Sequence, residues 1–191
     1  MKTNTANLAV MPKEFFQEQV RGAFEKLRLS QDDYLEFYLV NLLYEFVDIS
    51  KLQHAFGQLN ALETPIALIF KHALEAPQTE QFKLFKGLGD LSLYFSGFFQ
   101  DYFNRKTYDV GYYISVGQQA YRNVSVIASL HPKKGGLSAL YDVLATQFSD
   151  LVEVVAHATD LPGMQKPINI LATYDRWTKS RSERLRNALE R

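Results

Sequence analysis

The chain has 191 residues, a formal net charge of zero and no cysteine. The length fits one domain, and the absence of thiols excludes disulfides, thiolate metal sites and cysteine nucleophiles. The balanced charge gives no electrostatic reason to expect nucleic acid or an anionic membrane as a partner.

The first eleven residues are polar and lack the apolar run of a signal peptide. We therefore expect a short disordered segment over 1–11, followed by a single helical domain over 12–191. No stretch approaches the ~20 apolar residues of a membrane span, and a chain without cysteine suits a reducing compartment. Together these features predict a cytoplasmic protein.

Apolar residues then recur at helical spacing. Pro12 precedes the first predicted helix. The second, over 31–48, is apolar nearly all round, so we expect it at the centre of the bundle with Ser30 as its N-cap. Shorter helices are predicted over 51–61 and 64–76, the latter starting at Thr64 and Pro65.

Two longer amphipathic helices are predicted over 79–103 and 109–130, each with one aromatic or aliphatic face. Within the apolar face of the second, Gly117 and Ala120 would let a neighbouring helix approach closely. A glycine-containing loop separates these from helices predicted over 137–159 and from 166 to the C-terminus. The expected fold is all-α, a bundle of about six to seven helices joined by short loops.

Three segments carry a family resemblance: GDLSLYFSGFF at 89–99, DVGYY at 109–113 and YDRW at 174–177. They resemble a family of uncharacterised bacterial proteins, and the resemblance covers roughly residues 80–190. The family has proline where this chain has Gln100 and aspartate where it has Gly111. The resemblance implies a bacterial, cytosolic helical protein and carries no activity or site.

No residue set predicts catalysis or metal binding. Asp90 and Asp101 lie on the polar face of the 79–103 helix beside lysines, which is typical of a solvated surface. The spacings Glu-x-x-His and His-Glu-x-x-His are absent. A haem held by one histidine, His72 or His157, would need only an aromatic pocket, and a helix-surface histidine is the simpler interpretation of either.

Two further segments suggest binding. Lys133 and Lys134 precede two glycines and a helix N-terminus, a pattern that can hold an anion or can be a plain connection. The basic C-terminal stretch, of net charge +3 over 174–191, is too modest to predict nucleic-acid binding. Within it, Trp177 and Arg181 lie one turn apart and are typical interface anchors. The preferred interpretation of Trp177 is nevertheless a rim side chain folded against the core.

The strongest binding signal is a stripe on the polar face of the 79–103 helix, made of Gly87, Asp90, Tyr94 and Gly97. Glycine inside a helix costs about 0.5–1 kcal/mol relative to alanine, so the glycines indicate close approach of something to this face. The surface that packs against this face belongs either to a partner or to another helix of the same domain. Tyr112 lies off the apolar face of the next helix and could extend the surface.

We therefore predict a helical protein-interaction or regulatory module that self-associates or binds a protein partner through this stripe. The alternative is a protein that binds a small apolar or aromatic ligand, such as haem or a lipid, in a pocket between the aromatic-rich helices. An enzyme ranks third because no nucleophile and base are paired in the pattern. The identity of any cofactor is left open.

Overall fold

The computed structural model describes residues 12–30, 32–46, 64–99, 109–130 and 135–160. Within these ranges the chain forms seven helices and no strand, which confirms the all-α prediction. The helices are α1 (Lys13–Leu27), α2 (Asp33–Phe46), α3 (Ile66–Glu75), α4 (Gln78–Phe98), α5 (Val110–Ser129), α6 (Gly135–Thr146) and α7 (Phe148–Ala158). The segment predicted as disordered, 1–11, and the helices predicted over 51–61 and from 166 lie outside the described residues.

Local chemistry explains where the helices begin. Proline immediately precedes α1, α3 and α4, at positions where the fixed φ of the ring suits entry into a helix. The start of α2 differs from the prediction of a Ser30 cap. An Asp32 carboxylate oxygen accepts hydrogen bonds from the backbone amides of Tyr34 (2.7 Å) and Leu35 (3.2 Å), so Asp32 satisfies the free donors of the first turn.

The central helix of the bundle is α4. It contacts α2, α3, α5 and α7, and from Leu88 to Phe98 every residue is buried. This region includes polar or small residues that a helical wheel assigns to solvent, among them Asp90, Ser92, Ser96 and Gly97. A helix surrounded on all sides needs no continuous apolar surface, provided that its small residues admit neighbours and its polar residues find partners. The Ser92 hydroxyl donates to the carbonyl of Leu88 (2.8 Å), whereas the buried hydroxyl of Ser96 has no hydrogen-bond partner among the described residues.

The prediction that α2 lies at the centre is wrong. One side of α2 packs on the core through Leu35, Leu39 and Leu43, whereas the opposite side leaves Tyr34 77% and Phe37 64% exposed. The sequence of α2 is apolar on both sides, but the described helices bury only one of them. Among the described residues, a largely apolar helix therefore lies at the surface.

Glycines let the long helices approach each other closely. A methyl group built on Gly89 of α4 would collide with the ring of Tyr121 on α5. One built on Gly117 of α5 would collide with the ring of Phe148 on α7. The close approach predicted from Gly117 is therefore present, and each glycine accommodates one buried aromatic ring.

The single helix predicted over 137–159 is instead two helices, α6 and α7, which meet at Gln147. Gln147 has φ −96° and ψ 15°, outside regular helical geometry. The preceding Thr146 hydroxyl donates to the carbonyl of Asp142 (2.8 Å), and such back-bonding by threonine tends to bend helices. Since neither glycine nor proline occurs here, the usual signals of a helix end are missing.

Candidate functional site

The predicted Gly87–Asp90–Tyr94–Gly97 stripe is not an open surface. Gly87 is half-buried, whereas Asp90 and Tyr94 are only 5% and 3% exposed and Gly97 is buried. A methyl group on Gly97 would lie 2.6 Å from the Cβ of Val155 on α7. The glycine at 97 therefore serves packing within this chain, and the prediction of an exposed stripe is wrong.

Tyr94 belongs to an aromatic cluster rather than to a polar face. Its ring stacks on Phe98 with a centroid distance of 4.9 Å and meets Phe46 of α2 edge-on at 5.3 Å. Burial raises the pKa of Tyr94, so its hydroxyl stays neutral. Such aromatic pairs add about 0.5–1.5 kcal/mol each beyond the burial of area.

Asp90 is the centre of a buried polar cluster. One carboxylate oxygen accepts hydrogen bonds from the hydroxyls of Tyr38 on α2 and Tyr121 on α5, the latter at 2.8 Å. The other oxygen accepts from Nζ of Lys86, one turn earlier on α4, at 2.6 Å. Three donors from three helices thus compensate a carboxylate that is almost fully removed from water.

The surroundings of this carboxylate fix the protonation states of the donors. Burial and the Asp90 charge raise the pKa of Tyr38 and of Tyr121 well above the usual value. For Lys86, burial lowers the pKa, but the Asp90 charge and hydrogen bond outweigh burial, so the pKa is raised. Tyr141 of α6 closes the cluster, with its ring centroid 5.8 Å from those of Tyr38 and Tyr121.

The cluster is built for cohesion rather than for proton transfer. All three donors hold their protons more firmly than usual, and both oxygens of Asp90 are occupied. A general base needs an acceptor within reach of a substrate proton, and here protein donors take that position. Asp90 is therefore best understood as a polar link between α2, α4 and α5.

The surface feature that stands out is a row of side chains on α2, which we call the ridge: Tyr34, Phe37, Asn41 and Tyr44. Its members are spaced i, i+3, i+7 and i+10, so they follow one side of the helix. Tyr34, Phe37 and Tyr44 are exposed and Asn41 is half-buried. The ridge thus presents aromatic rings to solvent along three turns of α2.

An apolar groove adjoins the ridge. It lies between the start of α2 and α6, has a volume of about 550 Å³, and is lined by Asp32, Tyr34, Leu35, Gly136, Leu137, Ala139, Leu140 and Val143. Asp32 is already engaged in capping α2, so the remaining lining is almost entirely hydrocarbon or aromatic. The ridge and this groove together form a continuous apolar surface.

On its other side the ridge is bordered by a charged groove between α1 and α2. This groove holds about 450 Å³ and is lined by Lys13, Glu14, Gln17, Arg21, Asp33, Glu36, Phe37 and Val40. At its base the buried Glu36 carboxylate accepts from Nη2 of Arg21 at 2.8 Å and from Nε2 of Gln17 at 3.1 Å. Above it, Nζ of Lys13 lies 4.9 Å from the centroid of the Phe37 ring.

The other predicted binding residues do not join this surface. Tyr112 is 45% exposed on α5, as its place off the apolar face predicts, and its ring contacts Tyr113. The two histidines considered for haem lie on separate helices: His72 is exposed on α3, and Nδ1 of His157 on α7 lies 3.1 Å from the carbonyl of Glu153. Lys133, Lys134, Trp177 and Arg181 lie outside the described residues.

Sequence reasoning overlooked the ridge, although its signal is present in the printed chain. A helical wheel treats Tyr34, Phe37 and Tyr44 as part of an all-round apolar helix and assigns them to the interior. The missing information was the number of neighbours that α2 has, which a helical wheel does not contain. In the described segments, no group of three or more acidic or histidine side chains forms a metal-binding cluster.

No protein-family model, curated protein or solved structure matches this chain. None of the helices among the described residues combines the length and the apolar character that crossing a membrane requires. The ridge and its apolar groove are therefore the features from which a function has to be argued.

Proposed function

We propose that this protein is a helical protein-interaction module, and that its contact surface is the ridge on α2 together with the groove between α2 and α6. A single observation carries the proposal: Tyr34 and Phe37 are 77% and 64% exposed beside an apolar groove of about 550 Å³. Single exposed apolar residues are ordinary, whereas contiguous apolar surface next to a groove is characteristic of interaction sites.

The chemistry of the surface supports a protein partner. Tyrosine and phenylalanine are enriched in interfaces, where they supply a large contact area with few rotatable bonds. The charged α1–α2 groove would then form the polar rim that usually surrounds an apolar interface core. This surface replaces the predicted stripe on α4, whose residues pack inside the chain.

A small apolar ligand is the second candidate, and the size of the groove favours it. Small-molecule sites usually have volumes of about 300–1,000 Å³ and mostly apolar linings, and the α2–α6 groove meets both conditions. Such sites also carry polar groups that orient the ligand. In this groove the carboxylate of Asp32 already caps α2, so it does not serve as that polar group. For this reason the protein partner is our first choice.

The setting that we propose for this module is the cytoplasm of a bacterial cell. The absence of cysteine supports a reducing compartment. The resemblance of the segments at 89–99, 109–113 and 174–177 to a bacterial family supports the bacterial origin.

Photocrosslinking tests the interaction role without knowledge of the partner. We expect p-benzoylphenylalanine in place of Tyr34 to give discrete protein adducts in the cells that naturally make the protein, because this position would lie within an interface. Leu68 of α3 is a matched control, since its side chain is 54% exposed outside the proposed surface. Adducts absent at position 34, or identical at 34 and 68, would refute the proposed function, and a bound small molecule seen by native mass spectrometry would favour the second candidate.

A further inference from the structure

We infer that the partner seated on this surface is a second copy of the same chain, so that the protein forms a homodimer through the ridge. This inference rests on the proposed function, because it names the occupant of the same surface. Three features of the surface, taken in turn, favour a like partner over an unlike one, and a fourth sets the expected strength of the contact.

The first feature is shape. A two-fold axis brings the same patch of two copies together, so the patch has to be complementary to itself. Here a projecting row, with Tyr34 and Phe37 at its most exposed part, lies directly beside a recess lined by Leu137, Leu140 and Val143. Two copies related by a two-fold axis can each place the ridge in the groove of the other, as helices pack ridges into grooves.

The second feature is charge. In a two-fold contact each flank meets its own copy, so a flank of one sign would repel itself. The charged flank of the ridge carries both signs, with Lys13 beside Glu14 and Asp33 and with Arg21 already paired to Glu36, and can therefore pair with itself. The chain as a whole has a formal net charge of zero, so overall repulsion does not oppose association.

The third feature is Asn41. It lies between Phe37 and Tyr44 on the ridge, at the place that an a-type position takes in a heptad pattern. Asparagine at such a position reduces the stability of a helix pair but specifies register, because the amide of one copy finds its best partner in the amide of the other. Within its own chain Nδ2 of Asn41 already donates to the carbonyl of Phe37 at 2.6 Å, so a second copy would meet the side-chain oxygen and the remaining N–H of this amide.

The fourth feature is area, which sets the expected strength. Aromatic side chains bury about 150–250 Å² each when fully covered. Given their exposed fractions, the ridge aromatics and Leu137 would bury about 400–500 Å² per copy, below the ~800 Å² per partner of a standard interface. We therefore expect a concentration-dependent dimer rather than a permanent one.

Cysteine chemistry provides the test, because the native chain contains no cysteine. In the Asn41→Cys variant, a short bismaleimide can join only two copies of this chain, and Tyr34, Phe37 and Tyr44 remain in place. We expect a covalent dimer of twice the 21.9 kDa chain mass, and loss of this dimer when Phe37→Glu is added. Light scattering on the unmodified protein should show the mean mass rising toward the same value with concentration.

The controls separate association from chance collision. Val126→Cys introduces a thiol at a position that is 60% exposed on α5, away from the ridge, and should give little covalent dimer under the same conditions. Because Phe37 is already largely exposed, Phe37→Glu should keep the helical circular dichroism of the parent. If Phe37→Glu fails to fold, Tyr34→Glu replaces it as the variant that disrupts the ridge.

The outcomes distinguish this inference from the proposed function. Equal crosslinking at positions 41 and 126, or a dimer unaffected by both glutamate variants, would overturn the homodimer. If position 34 photocrosslinks to a different protein while Asn41→Cys yields no dimer, the interaction role stands and the second copy is the wrong occupant. Failure of the photocrosslinking experiment removes the proposed function itself.

Discussion

Asp90 joins three helices through one carboxylate. Tyr38 reaches it from α2 and Tyr121 from α5, while Lys86 approaches along α4. A buried charge is tolerated only where its partners are in place, and removing one partner leaves the others uncompensated. The same cluster therefore stabilises the bundle when complete and makes each of its members difficult to replace singly.

Gly97 allows a direct test of whether the predicted stripe packs internally. We expect Gly97→Ala to destabilise the protein by about 1–3 kcal/mol through overpacking, because the added methyl group would lie 2.6 Å from Val155 and 2.9 Å from the carbonyl of Val152. The measurement is the free energy of unfolding from denaturant titration.

Gly22 provides the matched control for that change. It lies inside α1, and a methyl group there would meet nothing within 4 Å. Gly22→Ala should therefore gain up to about 1 kcal/mol from helix propensity alone. A Gly97→Ala variant that is as stable as Gly22→Ala would mean that α7 does not approach α4 as closely as described.

At the scale of helices, the sequence predicts that α2 is central and that α4 has one side in solvent, whereas in the structure α4 is central and α2 has one side in solvent. The contrast is tested by removing the same side chain from each. Phe95→Ala on α4 should cost about 3–5 kcal/mol, since Phe95 is buried among Phe99, Tyr113 and Tyr94. Phe37→Ala on α2 should cost less than about 1 kcal/mol, measured in dilute protein so that self-association does not contribute.

Similar losses for the two phenylalanines would contradict the assignment of α4 to the centre. A large loss at Phe37 alone would restore the original expectation that α2 is the buried helix. Circular dichroism at the start of each titration checks that both variants retain the helical content of the parent.

Periodicity was sufficient to predict that the chain is helical and, within a few residues, where most described helices begin and end. It could not rank the helices by burial, because burial depends on neighbours that are distant in sequence. Hydropathy counts Asp90 and Ser96 as surface residues, yet both are buried. It counts Tyr34 as a core residue, yet Tyr34 is the most exposed of the large apolar side chains described.

The break at Gln147 and the ridge were missed for related reasons. The break directly follows Thr146, whose hydroxyl donates to the backbone carbonyl of Asp142, and composition does not reveal such a bond. The ridge depends on which side of α2 the other described helices leave exposed. Sequence reasoning therefore located the residues of the Asp90 cluster on the right helices but did not bring Tyr38, Tyr121 and Asp90 together.

For the molecule as a whole, the buried tyrosines set the response to alkaline pH. The pKa values of Tyr38, Tyr121 and Tyr141 are raised, burial being the first cause in each case. In the unfolded chain tyrosine ionises near pH 10, so above that pH the unfolded state binds fewer protons than the folded state. The free energy of unfolding is then unaffected below about pH 10 and falls as the pH rises beyond it.

We expect this fall to reach about 1.4 kcal/mol per pH unit for each tyrosine that stays protonated in the folded state. Urea unfolding at a series of pH values measures it. Tyr121→Phe should reduce the slope above about pH 10, although it lowers stability at neutral pH by removing a donor from Asp90. A slope unchanged by Tyr121→Phe would show that this side chain is not the source of the alkaline loss.

The interlocking of Gly89 with Tyr121 and of Gly117 with Phe148 has a consequence for how this sequence can diverge. A side chain added at either glycine meets a ring, and a smaller side chain in place of either ring leaves a void. Each pair is therefore expected to be strongly coupled energetically, with two single changes both unfavourable and the joint change less so. Natural variants of this fold should accordingly retain or replace the two members of each pair together, which would leave a correlated signature between α4 and α5 and between α5 and α7.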